Sequence, residues 1–154
     1  MKIGFIGMGI VGGTTAKVLS KMHEIHPYDK FKEEYKDIQG LINSEVVFIC
    51  VPTPMKKSGE IDYSSIYSSL DFLSKLAIKN NKYPLIIIRS TAVSGTTDKL
   101  AEKYPKFRFI FNPEFLTEKD ALKDMENTSR IVIGVNDKVS KEKILAIYKP
   151  VFPN

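Results

Sequence analysis

Continuous apolar runs alternate with amphipathic stretches along almost the entire 154-residue chain. The runs VVFICV and PLIII are apolar throughout, which is typical of strands that are covered on both faces. Between them, Ile66, Leu70, Leu73 and Ala77 recur at the spacing of one helical face. Because strands that are separated by helices pair in parallel, the sequence predicts one domain with a doubly wound α/β fold and helices on both faces of a mainly parallel sheet.

The order of these stretches gives a prediction for each element. We predict strands at residues 2–6, 24–28, 45–51, 84–90, 107–111 and 130–135. We predict helices at residues 10–22, 63–77, 95–104, 117–125 and 140–152, and a short helix or irregular turn at 31–42. Proline in the second strand removes a ladder donor, so we expect that strand to be short or near a sheet edge. Asp62 is expected to cap the helix that begins near Tyr63.

Three glycines with the spacing Gly7-x-Gly9-x-x-Gly12 lie between the first predicted strand and the first predicted helix. In this context the spacing is typical of a dinucleotide site in a Rossmann-type fold. Gly7 permits a tight turn, Gly9 lets backbone approach a pyrophosphate, and Gly12 lets the helix pack close to the strand. The start of the helix, at Ile10 and Val11, then offers free N–H groups and a partial positive charge to the phosphates.

An acidic residue at the end of the second strand completes this pattern. Asp29 lies about 20 residues beyond the glycines, where a carboxylate accepts hydrogen bonds from the adenosine ribose. A carboxylate there also repels a 2′-phosphate, so we predict NAD rather than NADP, although Lys30 and Lys32 weaken that preference. The alternative interpretation is a glycine-rich turn beside an incidental surface aspartate.

Composition and charge exclude several other classes of protein. The net charge is +5, but the lysines are scattered and the arginines do not alternate with aromatic residues, so nucleic-acid binding is a minor alternative to a phosphorylated ligand. No apolar run approaches the roughly 20 residues of a membrane span, and MKIGFIG does not resemble a signal peptide. We therefore predict a cytoplasmic protein without a nucleic-acid or membrane partner.

The single cysteine and the two histidines carry no obvious chemistry. Cys50 lies in an apolar run with no basic neighbour that would lower its pKa, so we interpret it as a small buried hydrophobe at a strand end. His23 and His26 have no acidic or cysteine partner at metal-ligand spacing, and we expect them at the surface or at a strand edge. No metal site is predicted.

Three longer motifs follow the third, fourth and fifth predicted strands. They are FICVPTP at 48–54, RSTAVSGTT at 89–97 and NPEFLTEKDALKDMENTSRIVIG at 112–134. Carboxyl ends of parallel strands form the ligand crevice of an open α/β sheet, so all three are expected to border one site. In their order and spacing they resemble the UDP-glucose/GDP-mannose dehydrogenase family, specifically its N-terminal NAD-binding domain. The chain departs from that family at Ser94, where proline is usual, and near Thr117–Lys119, where a glycine is missing.

The third motif also carries two acidic residues after a rigid turn. Pro113 fixes the direction of the chain, and Glu114 and Glu118 fall on one side if the segment is helical. In a partly buried cleft, one of the two carboxyl groups could have a raised pKa and exchange protons. Equally, both acids could simply favour a helix N-terminus.

The family resemblance implies a role for each of these motifs. It implies a two-step oxidation of a sugar-nucleotide alcohol to a carboxylate, with two hydride transfers to NAD. It implies that Thr91, Glu114 and Glu118 position water and move protons. It also implies a cofactor wall made of Val51, Pro52, Thr53, Ser90 and Thr91. For Thr91 the alternative is a hydroxyl group that caps the following helix.

The same resemblance implies functional groups that we do not find in this sequence. The family's catalytic cysteine lies in a C-terminal substrate domain, beyond a central helix that supplies a lysine, an asparagine and dimer contacts, and Cys50 does not correspond to it. We therefore expect residues 1–154 to form the NAD-binding domain, inactive alone, with a C-terminal domain or partner chain required and homo-oligomers possible. The alternatives are a stand-alone regulatory NAD-binding module or partner-dependent subunit and, less favoured, a β-hydroxyacid-type dehydrogenase.

Overall fold

Five strands and six helices alternate along the chain in the computed structural model, which describes residues 1–153. The strands are β1 (Lys2–Ile6), β2 (Glu24–Tyr28), β3 (Val46–Ile49), β4 (Leu85–Ile88) and β5 (Arg108–Phe111). The helices are α1 (Ile10–Leu19), α2 (Ile38–Asn43), α3 (Ser64–Asn80), α4 (Thr96–Lys103), α5 (Ala121–Glu126) and α6 (Lys138–Tyr148).

The five strands form one parallel sheet in the order β2-β1-β3-β4-β5. The chain moves from β1 to one side to form β2 and then crosses to the other side of β1 to form β3. This reversal leaves a crevice beyond the carboxyl ends of β1 and β3, which is the usual ligand position in such sheets. The doubly wound α/β prediction is therefore confirmed.

Apolar side chains cover both faces of the sheet. On one face, α1 and α6 contribute Val18, Leu19 and Ile144 to a cluster around the stacked rings of Phe5 and Phe48, whose centroids lie 4.9 Å apart. On the other face, α3 and α4 contribute a second buried cluster. Its helical members include Ile66, Leu70, Leu73, Ala77 and Leu100. Burial on both faces explains why β3 and β4 are apolar at every position.

The second strand lies at an edge of the sheet, as its proline predicted. Only β1 pairs with β2, and the side chains of β2 are half-buried or exposed. Pro27 lies opposite Phe5 and tolerates this position because an edge strand does not need a donor on its outer side.

The predicted strand at 130–135 is wrong for the residues that the structure describes. That segment makes only an isolated antiparallel bridge, in which Phe111 and Gly134 exchange hydrogen bonds of 3.0 and 2.7 Å. Its apolar residues Ile131, Ile133 and Val135 pack against the first core cluster. The pattern therefore reflects burial of side chains without a strand ladder.

Several predicted helix boundaries also differ from the structure. The first helix ends at Leu19 rather than at residue 22, and the predicted helix at 117–125 begins only at Ala121. Tyr63 is the N-cap of α3, although the Asp62 carboxylate accepts the Ser64 amide at 2.9 Å. Asp62 thus stabilises the start of α3 from the position that precedes the N-cap.

Candidate functional site

Residues 7–12, called the glycine turn below, comprise the turn after β1 and the first three residues of α1, and the glycines at 7 and 12 have the geometry that the sequence predicts. Gly7 has a φ of +94°, in the region that favours glycine, and a Cβ there would lie 2.5 Å from the carbonyl oxygen of Cys50. A Cβ at Gly12 would overlap the carbonyl oxygen of Gly7. Both positions therefore require glycine because backbone from β3 and from the turn itself packs against them.

The surface at Gly9 is open in contrast. A Cβ added there would meet no atom within 4 Å, so the space above Gly9 can hold a ligand. Gly9 is the N-cap of α1 and has no side chain to satisfy the free amides, and the first helical turn, with Ile10 and Val11, contains no acidic residue. This combination of open space, free N–H groups and helix dipole favours a bound anion such as a diphosphate.

Asp29 lies directly beside the glycine turn. It follows β2, and its carboxylate accepts the Met8 amide at 2.8 Å and the Phe31 amide at 2.9 Å. Only 9% of the residue is exposed. Each carboxylate oxygen accepts one of these bonds and keeps further acceptor capacity, so Asp29 can still accept ribose hydroxyl groups. The sequence correctly placed this acidic residue at the end of β2.

Lysines next to Asp29 hold the loop in place, which the sequence analysis missed. Lys32 Nζ donates to the Met8 carbonyl at 2.7 Å, and Lys36 Nζ donates to the carbonyls of Asp29 and Lys30 at 2.8 Å. The side chain of Lys30 is exposed, with its Nζ 5.7 Å from the centroid of the Phe31 ring. Lysine spacing alone gave no signal for these backbone contacts because they depend on the path of the 29–36 loop.

The loops after β3 and β4 are joined at the same edge of the sheet. Thr53 Oγ1 donates to the Thr91 carbonyl at 2.9 Å, and Ser90 Oγ donates to the Val51 carbonyl at 2.7 Å. Pro52 is exposed between them. Residues 51–53 and 90–91 therefore form one continuous wall.

Thr91 does not cap the following helix. The N-cap of α4 is Gly95, which has a φ of +83°, and no side chain caps that helix end. The Tyr63 hydroxyl instead accepts the Val93 amide at 3.0 Å and stabilises the intervening loop. The capping alternative for Thr91 is therefore wrong, and Thr91 is exposed.

The segment after β5, residues 112–120 and called the acidic segment below, is not helical. Asn112 is fully buried, and Glu114 is half-buried with one carboxylate oxygen 2.6 Å from the Leu116 amide. Glu118 is exposed in a turn before the N-cap of α5 at Asp120. The predicted helical juxtaposition of Glu114 and Glu118 is therefore wrong, and so is the alternative that both acids lie in the first turn of a helix.

Cys50 is buried and unpaired, as predicted. Burial raises the pKa of its thiol to about 12, so the nucleophilic thiolate is scarce at neutral pH. Cys50 is therefore part of the core at the end of β3.

The histidines bind other parts of the fold. His26 lies on the edge strand β2, one of the two expected positions, and its side chain is largely buried there. Its Nδ1 lies 2.7 Å from the Asp37 carboxylate and its Nε2 lies 3.1 Å from that of Glu24. The hydrogen bond from His26 lowers the pKa of Asp37. Within residues 1–153, no three His, Cys, Asp or Glu side chains are grouped as metal ligands. Nor does any helix of that range combine the length and apolarity needed to cross a membrane.

Comparison with known proteins agrees with this geometry. The model of the UDP-glucose/GDP-mannose dehydrogenase family, NAD binding domain, matches residues 26–152. The UDP-glucose 6-dehydrogenase of Rickettsia bellii is 41% identical over 133 residues, which cover 84% of this chain and 30% of that protein. The corresponding protein of Rickettsia felis is 41% identical over 125 residues, which cover 79% of this chain and 27% of that protein.

Solved structures share the fold. A GDP-mannose dehydrogenase from Pseudomonas aeruginosa, solved as a ternary complex, superimposes with a TM-score of 0.84 at 24% identity. A UDP-glucose dehydrogenase from Pyrobaculum islandicum superimposes with a TM-score of 0.83 at 23% identity. Each comparison covers 97% of this chain and 44% of the other.

The chain belongs to the UDP-glucose/GDP-mannose dehydrogenase family, as its NAD-binding domain. The matched range begins at His26, so the glycine turn contributes nothing to that match. The geometry at Gly7, Gly9 and Gly12 is therefore an independent indication of the same cofactor. The chain spans about 30% of the length of the curated relatives described above.

Proposed function

We propose that this NAD-binding domain holds the cofactor across the carboxyl ends of β1, β3 and β4, and that it serves a nucleotide-sugar 6-dehydrogenase. The observation that carries the cofactor position is the glycine turn. Its open surface at Gly9 lies at the uncapped start of α1, and the Asp29 carboxylate is bonded to the adjacent Met8 amide.

Each part of this edge would bind a different part of NAD. The diphosphate would lie over the glycine turn, where the amides of Ile10, Val11 and Gly12 begin the helix. Asp29 would accept the adenosine ribose hydroxyl groups, with Lys30 at the rim. The wall at 51–53 and 90–91 would border the nicotinamide end. The two ends of the cofactor are thus separated along the sheet edge in the order of the strands.

The proposed reaction converts the primary alcohol of a sugar nucleotide into a carboxylate. This four-electron oxidation releases two hydrides in succession and takes one oxygen from water, and NAD when bound supplies the hydride acceptor. Thr91, Glu114 and Glu118 would orient that water and accept the protons that are released. Glu114 is the better placed of the two acids because it is half-buried, whereas Glu118 is exposed.

The whole reaction needs more than the groups described above. Hydride transfer requires substrate and cofactor to be held at near-attack distance, and residues 1–153 offer a cradle for the cofactor but only one wall for a sugar. We therefore expect this chain by itself to bind NAD without producing NADH from UDP-glucose. The cytoplasmic location inferred from the sequence stays a prediction.

Titration calorimetry with NAD and NADP tests this proposal. NAD should bind, and NADP should bind more weakly because its 2′-phosphate meets the Asp29 carboxylate. Asp29→Ala should lower the affinity for NAD. Glu33→Ala, which removes a neighbouring acid that is 91% exposed, is the matched control and should leave the affinity unchanged. Equal affinity of wild-type protein and Asp29→Ala for NAD would reject the ribose role of Asp29.

A further inference from the structure

Arg89, at the end of β4, is a buried cation that forms no ion pair within residues 1–153. Only 4% of the residue is exposed. Within residues 1–153, no carboxylate oxygen lies within 4.0 Å of its guanidinium group. Arginine does not lose its proton in a protein, so the charge stays in place at any ordinary pH. A buried charge of this kind is costly unless something compensates it.

The hydrogen-bond partners of Arg89 are all neutral. Its Nε donates to Thr15 Oγ1 at 3.0 Å, one Nη donates to Asn112 Oδ1 at 2.7 Å, and the other lies 3.4 Å from the sulfur of Met125. The Tyr148 hydroxyl lies 3.5 Å from the guanidinium. Burial raises the pKa of that hydroxyl to about 12, so Tyr148 is also uncharged at neutral pH.

Two nearby carboxylates do not pair with Arg89. Glu114, Asp124 and the guanidinium group line one small cavity, whose volume is about 50 Å³. The Glu114 carboxylate accepts the Leu116 amide, and the Asp124 carboxylate accepts the amide and hydroxyl of Thr117. These bonds direct both acids toward the acidic segment, and the positive charge of Arg89 remains uncompensated by an ion pair.

Arg89 is connected to the glycine turn through α1. Thr15, its partner, belongs to α1, and the Thr15 hydroxyl donates to the Val11 carbonyl in the first turn of that helix at 2.7 Å. At about 1.5 Å of rise per residue, Thr15 lies about 7 Å along the helix from Ile10. The guanidinium group therefore contacts α1 about one and a half turns from the amides that begin the helix beside the open space at Gly9.

We propose that Arg89 is a buried countercharge for the diphosphate of the cofactor, and that it strengthens binding from beneath the glycine turn without touching the ligand. The inference rests on the proposed function, because it takes the diphosphate to lie at that turn. Buried charges are screened much less than surface lysines, so the effect persists in salt. Two unit charges about 10 Å apart at an effective dielectric constant of about 20 change an affinity by about tenfold.

Substitution of Arg89 itself gives the direct test. Arg89→Met removes the charge and should lower the affinity for ADP about tenfold, while Arg89→Lys keeps a cation and should retain most of it. Adenosine, which has no phosphate, is the control ligand, and its weak binding, measured by NMR titration, should be the same in all three proteins. A purely structural role would lower ADP and adenosine binding together, or would leave both unchanged in the folded variants. Either result would overturn the proposal, and so would equal losses of ADP affinity in Arg89→Met and Arg89→Lys.

A second pair of variants tests the effect of the Arg89 charge on diphosphate binding if Arg89→Met does not fold. Met125 contacts the guanidinium group through its sulfur, so Met125→Glu places a carboxylate beside Arg89, and Met125→Gln is the neutral variant of the same shape. We expect the glutamate variant to bind ADP several-fold more weakly than the glutamine variant, with equal adenosine binding. Equal ADP affinities would show that a change of charge beside Arg89 does not affect binding of the diphosphate.

The wild-type protein separates this inference from the proposed function. If wild-type protein binds neither NAD nor ADP, the proposed cofactor site fails and the role of Arg89 fails with it. If wild-type protein binds both ligands and the charge-changing variants bind ADP equally well, only the countercharge is rejected.

Discussion

The glycine turn and the acidic segment lie at the same edge of the sheet, but they are held in different ways. Backbone packing fixes the glycine turn, because any side chain at Gly7 or Gly12 would meet main-chain atoms. The acidic segment is irregular between the buried Asn112 and the start of α5, and it leaves Phe115 62% exposed. One region is thus specified by the absence of side chains and the other by what its side chains contact.

The two regions would also differ in function, with diphosphate binding at the glycine turn and proton transfer at the acidic segment. A diphosphate needs amides and space, and the glycine turn provides both with few side-chain contacts. In the proposed function, proton transfer needs carboxylates at defined distances from a substrate, and the acidic segment would provide them on a less regular backbone. We therefore expect substitutions at Gly7 and Gly12 to affect folding and a substitution at Gly9 to affect NAD binding, whereas substitution of the exposed Glu118 in the acidic segment should leave both nearly unchanged.

The largest expected effect concerns Cys50, which is buried against the glycine turn. With a thiol pKa of about 12, Cys50 should react with iodoacetamide at pH 8 roughly 10³-fold more slowly than an ordinary exposed thiol, because its thiolate fraction is smaller by that factor. Reactivity should rise with pH and should become ordinary in denaturant. Mass spectrometry of the labelled protein gives both rates. Rapid labelling of the folded protein would show that the region is open.

Gly12→Ala should have the next largest effect. Because the new Cβ overlaps the Gly7 carbonyl oxygen, we expect the free energy of unfolding to fall by about 3 kcal/mol in urea denaturation. Gly13→Ala is the matched control, since a Cβ there meets only the Met8 carbonyl at 3.9 Å. It should be neutral or stabilise the protein by up to about 1 kcal/mol, as alanine favours helix. Equal stability of the two variants would contradict the close packing of turn and helix.

The anchor of the loop after β2 should contribute a smaller, pH-dependent amount. Asp37 accepts the Gly40 amide at the start of α2 and bonds to His26, so Asp37→Ala should cost about 1 kcal/mol at pH 7. The folded pKa of Asp37 lies below the ordinary value of 3.8, so its contribution is complete above about pH 5 and disappears as pH falls through the folded pKa. The difference in unfolding free energy between wild-type protein and Asp37→Ala should therefore be smaller at pH 3 than at pH 7. Glu34→Ala, an exposed acid of the same loop, is the control, and a constant difference at both pH values would exclude the linkage.

Glu118→Gln should have the smallest effect. Its side chain is exposed, so stability should change by less than about 0.5 kcal/mol and the NAD affinity of this chain should stay the same. Calorimetric titration provides the check. A clear loss of NAD affinity would mean that the acidic segment contributes to cofactor binding, and the contrast with the glycine turn would fail.

Prediction from the sequence succeeded where one local rule decides the structure. The tight turn at Gly7, the close packing at Gly12, the position of Asp29 after β2 and the apolar strands β3 and β4 each depend on backbone geometry or burial, which residue types reveal directly. The role of these residues in cofactor binding stays a prediction. The contacts of Arg89 with Thr15, Asn112 and Met125 were not predictable, because they join α1, the acidic segment and α5 across long stretches of chain.

Prediction failed where two rules compete. The segment 130–135 has a strand pattern, but its apolar side chains are buried without a ladder, and only Gly134 pairs with β5. Glu114 and Glu118 have helical spacing, but the Glu114 carboxylate binds the Leu116 amide and the chain turns before it becomes helical. The Glu114 carboxylate, next to Pro113, thus satisfies a local amide that helical spacing alone does not take into account.

Titration of Gly9→Val with NAD tests the central claim most directly. The backbone at Gly9 is extended, with φ −76° and ψ −160°, and no atom lies within 4 Å of an added Cβ, so the variant should fold. Because valine is a poorer N-cap than glycine, its free energy of unfolding should fall by no more than about 1 kcal/mol. Its side chain would occupy the space assigned to the diphosphate. We predict that wild-type protein binds NAD saturably and that Gly9→Val binds it about 100-fold more weakly, the equivalent of about 3 kcal/mol. Equal affinity of the two folded proteins would contradict the cofactor site described here.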